Sequence, residues 1–492
     1  MSLAPGLSSR ADKEQNLMLI HIIRSQMKIT VLISLMILCL SCSIGQTPEE
    51  GFVAKSLPEE VGVLPELIEK LVSDIESDKF QNIHGLLLIK DDKLILEKYF
   101  GEFDRNDLHY SASVSKSFAS VLLGIAIDNG FFQGDIYSVL NRKVSVLFPE
   151  YEGIIVKDSL KKELKLKHIL SMTAGFDWDE HSHPYTDGRN DCNRINHSSD
   201  PMKFLFERKL ISEPGTEFYY NGGLSLSISW LIEKYTGLSV DKFAEKYLFS
   251  PLDITEYSWE KVSGGLIDTD GGLHVKPMDQ AKLGYLFLNG GAWRDLQVVS
   301  KEWVHVSTQI QFHNMDMPDY GYQWWGGDFH VENNSYETFL ASGHGGQKIL
   351  VLPDYDLVLV LTQQVFSNPY GDLNFLAIVS DYLIPALIGD IAKSENIELS
   401  REELAIYEGH YRTEDSDEFI DVLTGEGMLV LKSSDGQQNE FYPVSKNTYV
   451  ARILDLFDVQ IAFETDADTG KAALLSNFGY SSKRLSRLSV RH

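Results

Sequence analysis

Ser113-Val114-Ser115-Lys116 opens an unbroken run, Ser117-Phe118-Ala119-Ser120-Val121-Leu122-Leu123-Gly124-Ile125-Ala126-Ile127-Asp128, which halts at Asn129-Gly130. Phe118, Val121, Leu122, Ile125 and Ala126 recur at the spacing of one buried helical face. Gly130 stands where a helix C-cap belongs. On such a helix Ser113 and Lys116 lie one turn apart on the same side. A serine hydroxyl is a weak nucleophile until a neighbour accepts its proton. A lysine amine can accept it once burial or a nearby cation lowers its pKa. At a helix N-terminus, free N–H groups and the helix dipole also favour negative charge developing beside Ser113. The same Ser-x-x-Lys pattern recurs at Ser25-Gln26-Met27-Lys28 and Ser159-Leu160-Lys161-Lys162, so the remainder of the chain must decide which copy matters.

At 492 residues the chain is too long for one core and predicts two domains plus extras. Its composition is that of a globular protein: 43% apolar, 11% aromatic and 23% charged. The net charge of −27 argues against nucleic acid or anionic lipid as partners and leaves a small-molecule or peptide-like substrate open. Of three cysteines, Cys39 and Cys42 fall near the N-terminus, leaving Cys192 and no disulfide framework. A lone loop cysteine without a low-pKa environment reads as inert.

Residues 1–42 read as a leader. Lys28 precedes the apolar run Ile29 to Leu40, short for a membrane span and right for a signal-peptide core; Met27 offers an alternative start. Leu40-Ser41-Cys42 resembles a bacterial lipoprotein cleavage box with Cys42 as the lipidated residue, although Cys39 stands where that box usually has leucine. The other reading is an ordinary secretory leader. Both predict export, to the periplasm or to an outer-membrane anchorage with membrane tethering through Cys42.

After a linker at 43–54, the runs Ile83 to Lys90 and Leu94 to Phe100 meet at Asp91-Asp92 as a hairpin. Residues 131–290 read as mostly helix and loop, with a helix from Leu166 ending at Gly175. The irregular stretch Trp178 to Pro201 carries His181, His183, Asp187, Asp191, Cys192 and His197. It has no zinc-type spacing, so solvated loop residues rimming a cleft explain it better than a metal does. Alternation along an extended segment predicts that Tyr219 and Asn221 share a face, a phenol able to shuttle a proton beside an amide able to orient a lysine or substrate. A packed turn tyrosine is the plainer alternative. His344-Gly345-Gly346, opening the strand Gln347 to Leu352, sets a proton donor beside backbone that a substrate can approach closely. From about 396, two helix-like segments give way to short alternating strands, among them Met428 to Lys432, Asn447 to Ile453 and Val459 to Glu464. These predict a small β-rich domain at 396–492.

Taken together and in this order, Ser113-Val-Ser-Lys116, Tyr219-Tyr-Asn221 and His344-Gly-Gly346 resemble the three motifs of the serine beta-lactamase-related superfamily. That superfamily includes class C beta-lactamases, DD-peptidases, esterases and 6-aminohexanoate-dimer hydrolases. The stretches Leu166 to Gly175, Gly272 to Gly291 and Tyr320-Gly-Tyr-Gln-Trp-Trp325 resemble it too, so the likeness spans about 55–390, within a hydrolase-like domain expected at 55–395. It implies an α+β fold: an antiparallel sheet flanked by helices, a helical subdomain inserted between its N- and C-terminal strands, and Ser113 between the two, followed by the small all-β domain. It implies that Ser113 is an acylated nucleophile, that Lys116 and Tyr219 manage its proton, and that Asn221 orients Lys116 and substrate. It further implies that the N–H groups of Ser113 and Gln347 form an oxyanion hole beside Gly346, with no cofactor or metal. His344 stands where the family usually has a lysine. A neutral imidazole recognises carboxylates poorly, so esterase, amidase or peptidase activity is expected ahead of beta-lactamase activity. The paired tryptophans lean toward the 6-aminohexanoate-dimer-hydrolase branch. The competing expectation is a penicillin-binding-like or non-catalytic sensor protein on the same fold.

Overall fold

The computed structural model describes residues 53–487 except 315–317, 332–333, 367–369, 390–396, 413–418, 435, 437, 444, 454–456, 466–471 and 479–480. The leader with Cys39 and Cys42 lies outside the described residues. Among the described residues, no helix is long and apolar enough to cross a membrane.

The main sheet is antiparallel. It runs in the order Lys93–Tyr99, Ile83–Lys90, Leu357–Gln363, Gln347–Leu352, Asn334–Gly343, Trp325–Val331 and Asp319–Tyr320. The N-terminal hairpin, with Asp91 and Asp92 both at positive φ in its turn, therefore lies beside strands from 270 residues later, as expected. In the central strands nearly every residue is buried, because helices cover both faces. Leu86, Leu88, Leu350, Leu352, Leu359 and Leu361 face one layer, built on the helix Pro65–Glu76 and the helical segment ending at Ile388. On the opposite face the helix Pro277–Leu288 comes so close that a Cβ on Gly284 would stand 2.6 Å from Val358.

Everything between Tyr99 and Asp319 is inserted into this sheet, mostly as helices with a three-stranded sheet of His109–Tyr110, Leu273–Val275 and Tyr257–Trp259. The Ser113 helix, Val114–Asp128, runs between the two parts, touching the strand Asn334–Gly343 and the helix Gly222–Thr236. It ends at Asn129, and Gly130 takes φ 75° just beyond. The expectation of one apolar face is corrected: every residue from Val114 to Ile127 is buried, because the helix is enclosed on all sides. The helix at Leu166 is also shorter than predicted. It stops at Leu170, and Met172 turns to positive φ before Gly175 is reached.

Beyond Arg401–Ala405, eight strands from Gly409–Arg412 to Ser481–Arg487 close into an antiparallel barrel, first strand pairing with last. Tyr407, Tyr411, Tyr449 and Phe463 fill its centre with Leu429, Leu431 and Leu474. The predicted strands appear here as Leu429–Ser433, Thr448–Ile453 and Phe457–Thr465. The barrel touches the strand Trp325–Val331, and residues 55–492 make one compact unit.

Candidate active site

Ser113 occupies the N-cap of its helix, and the residue before it, Ala112, is held at φ 46°. A non-glycine residue in that region is strained backbone, a state that persists only where its surroundings over-determine it. The turn is fixed from two sides. Ser115 Oγ donates to Ala112 O at 2.7 Å and accepts from Leu273 N at 3.1 Å. Gly343 lies against the turn so tightly that a Cβ there would stand 2.5 Å from Ser111 O. Only glycine lets the end of the strand Asn334–Gly343, which leads into the turn holding His344, approach the serine this closely.

Lys116 is buried and spends its protons locally. Its Nζ donates to Ser113 Oγ at 2.9 Å, to Asp270 O at 2.9 Å and to the Asp270 carboxylate, and it lies 4.8 Å from the centre of the Tyr220 ring. Ser113 Oγ accepts from the lysine, so its own proton is free for another acceptor, and Tyr220 is hydrogen-bonded to it. Burial would lower the lysine pKa. The negative groups around it, Asp270 first, more than offset this and carry it well above its ordinary value. Burial likewise raises the Tyr220 phenol, although Lys116 works against that.

Two of the predicted site residues are corrected. Tyr219 is outside the constellation: its hydroxyl turns to Glu217, two residues back and therefore on the same side of the extended segment. The opposite face belongs to Tyr220, which meets Lys116 and Ser113. Asn221 makes no hydrogen bond to the lysine among the described residues: its Oδ1 accepts from Leu224 N at 3.2 Å and caps the helix Gly222–Thr236. Asp270 anchors Lys116 in its place. The doubled tyrosine was visible in the sequence, but alternation alone could not say which of the two faces inward. Asp270 carries no spacing signal; its one cue is that it precedes Gly271-Gly272.

The stretch 178–201 supplies a second buried acid. Glu180 accepts from Trp178 Nε1 at 2.6 Å, from Gly222 N at 2.7 Å and from the Tyr185 hydroxyl at 3.2 Å. Burial, and then the Asp270 charge, push its carboxyl up to about 7. Asp268 is raised for the same two reasons, although it accepts from the N–H groups of Asp270 and Gly271. Cys192 is buried with its thiol donating to Asp270 Oδ2 at 2.8 Å. Burial and the adjacent carboxylate push its pKa up, the opposite of a nucleophilic cysteine. The other residues of the metal-like cluster disperse: Asp191 pairs with Arg194 and Arg208, Asp187 with Arg189, and His197 bonds Asn193 O.

His344 stands exposed at the mouth between the rings of Tyr185 and Phe366, at 5.4 and 5.2 Å between centres. Loss of hydration beside these rings lowers its pKa, only partly countered by Asp372, which favours the neutral imidazole. Gly346, at φ 91°, meets the Gln363 side chain where a Cβ would fall, and Gln347 is buried at the start of its strand. Tyr220 in turn stacks on Trp325 at 5.7 Å, so the approach to Ser113 is walled by aromatic rings.

A serine at a helix N-terminus, bonded to a lysine one turn on and to a tyrosine from the inserted subdomain, above an antiparallel sheet, defines the serine beta-lactamase-related class. Residues 79–382, more than half of the chain, match the beta-lactamase family, and the chain belongs to that family of hydrolases. It is 26% identical over 316 residues to the 6-aminohexanoate-dimer hydrolase of Paenarthrobacter ureafaciens, spanning 60% of this chain and 74% of that one. The fold resembles that of a penicillin-binding protein homologue from Pyrococcus abyssi (TM-score 0.53, 16% identity), over 86% of this chain and 99% of that one. It also resembles EstCE1, a hydrolase with promiscuous acyltransferase activity (TM-score 0.50, 14% identity), over 62% of this chain and 95% of that one.

Proposed function

We propose that this protein is an exported serine hydrolase that cleaves an ester or amide bond through an acyl-enzyme on Ser113. The observation that carries the reading is the Ser113 hydroxyl itself, which accepts from Lys116 Nζ at 2.9 Å while bonded to Tyr220. As Oγ bonds to the substrate carbonyl carbon, its proton passes to the Tyr220 oxygen. In the same motion the proton that Tyr220 already carried passes to the leaving oxygen or nitrogen, so the phenol never holds two protons, and the scissile bond then breaks. Lys116 keeps its protons and stabilises the charge that develops on both oxygens. Water then repeats the sequence to release the acid. The oxyanion of each tetrahedral intermediate is assigned to the N–H groups of Ser113 and Gln347, where each donor contributes about 3–4 kcal/mol.

The neutral His344 and the aromatic walls favour an acyl group without a carboxylate to be recognised, hence an ester or linear amide ahead of a beta-lactam. The likeness to a 6-aminohexanoate-dimer hydrolase supports including amides. Export, with lipidation at Cys42, rests on the leader alone; its check is fractionation and fatty-acid labelling of wild type and Cys42→Ala.

The central test is a fluorophosphonate probe followed by turnover of p-nitrophenyl esters, linear amide dimers, D-amino-acid peptides and nitrocefin. Labelling of Ser113 and ester or amide turnover, both lost in Ser113→Ala, are expected. A folded wild-type protein that the probe leaves unlabelled defeats the reading. Labelling without multiple turnovers would favour the penicillin-binding-like alternative.

A further inference from the structure

We propose that Asp270, admitted to the site by Gly222, is the positioning residue of the Ser113–Lys116 pair: it fixes Lys116 as an ammonium and so leaves the serine proton to Tyr220. This rests on the reading of Ser113 as the nucleophile. The geometry is specific. Asp270 takes two of the three hydrogen bonds that Lys116 donates, one through its backbone carbonyl and one through its carboxylate, and the third goes to Ser113. A lysine with all three protons engaged as donors has no lone pair to offer the serine. Its other carboxylate oxygen is not left bare, because it accepts the Cys192 thiol proton. The pair is buried on both sides, with side-chain exposures of 3% and 8%, so water does not weaken it.

Gly222 is what makes room. A Cβ there would stand 2.5 Å from Asp270 Oδ2 and 2.6 Å from its carboxyl carbon, inside any normal contact. The same glycine donates its N–H to Glu180 at 2.7 Å, so one residue lacking a side chain sits between two buried acids. The expectation gave the task of holding Lys116 to the amide of Asn221. The chain has turned that amide to helix capping and uses a full negative charge instead.

The charged and titratable groups facing Lys116 come from each surrounding element. Asp270 and Asp268 come from the turn before Leu273–Val275, and Tyr220 from the segment before its helix. Glu180, His181, Tyr185 and Cys192 come from the loop and short helix that follow Trp178. Tyr110 and Tyr320 feel the charge from their strands. Among these, Asp270 is the acid that touches the lysine.

The test compares wild type with Asp270→Asn for kcat/KM on a p-nitrophenyl ester across pH, after both have been checked for fluorophosphonate labelling at Ser113. Removing the carboxylate lets Lys116 lose its proton sooner. The alkaline limb of the Asp270→Asn profile is therefore expected to move down by about one pH unit or more, with kcat lowered about tenfold and KM little changed. A folded Asp270→Asn that labels normally and keeps the wild-type alkaline limb and kcat within about twofold overturns the assignment. Unlabelled wild type defeats the hydrolase reading itself, and with it this inference. Should Asp270→Asn not fold, Gly222→Ala gives the same readout, since its methyl group crowds the carboxylate off the lysine. A wild-type alkaline limb in folded Gly222→Ala would be equally fatal.

Discussion

Two adjacent tyrosines with the same chemistry have unlike surroundings. Tyr219 is at the surface beside Glu217, whereas Tyr220 lies over Lys116 and is bonded to Ser113. Tyr220→Phe is therefore expected to lower kcat/KM by about 10²- to 10³-fold, the usual worth of a positioned proton-transfer group. Tyr219→Phe should leave it within about twofold, and ester kinetics on the two variants decide between them. At this scale the sequence was half legible. The Ser-x-x-Lys pair was readable because helix geometry alone brings residues three apart together. The choice between neighbouring tyrosines was not, because it depends on where the extended segment ends and the Gly222 helix begins. Asp270 was illegible for a stronger reason: it meets Lys116 across 154 residues, through a contact that no local period encodes.

The Ser113 helix displays the same limit one level up. Its apolar spacing announced a helix and its terminus, and both are present. The pattern implied a single buried face because it is read against water, whereas neighbouring elements enclose this helix completely. Polar residues in it are satisfied by those neighbours: Ser117 donates to Gln323 O at 2.7 Å and Ser120 to Tyr322 O at 2.8 Å. Midway along, Gly124 lies in contact with the ring of Trp303, which leaves no room for a Cβ. Gly124→Val is expected to destabilise the fold by about 1–3 kcal/mol or more through overpacking, despite the better helix propensity of most residues over glycine. A lowered midpoint in denaturant, with the slope unchanged, is the measurement. An unchanged midpoint would mean that Trp303 moves aside freely.

For the molecule as a whole, acid sensitivity follows from buried histidines. His84 lies in the central hairpin, stacked on Phe103 at 3.6 Å and close to His109 at 5.3 Å. Burial, with a smaller push from His109, lowers its pKa to about 4, and burial does the same to His168. Between pH 6.5 and 4 the unfolded chain binds protons at these sites that the native protein refuses, so stability falls as pH falls across that window. Melting curves of wild type and His84→Asn should accordingly diverge at neutral pH and converge toward pH 4; parallel curves would reject the effect. At this scale the sequence was most informative. The hairpins and central strands were marked by apolar runs bounded by turn residues, and the β-rich tail by alternation. Closure of that tail into a barrel was not, since pairing of Gly409–Arg412 with Ser481–Arg487 is set by strand tilt and register.

The sheet also imposes a timetable on folding. The strand Ile83–Lys90 has its partner, Leu357–Gln363, about 270 residues along the chain. Its other neighbour, Lys93–Tyr99, can give only a lone hairpin, which is marginal in water. During vectorial synthesis the central sheet therefore stays open until residue 363 has emerged, and the Ser113 turn, braced by Gly343, stays unset with it. High contact order makes that step slow. Any machinery that must handle the polypeptide before it is compact has the interval between residues 90 and 363 in which to do so.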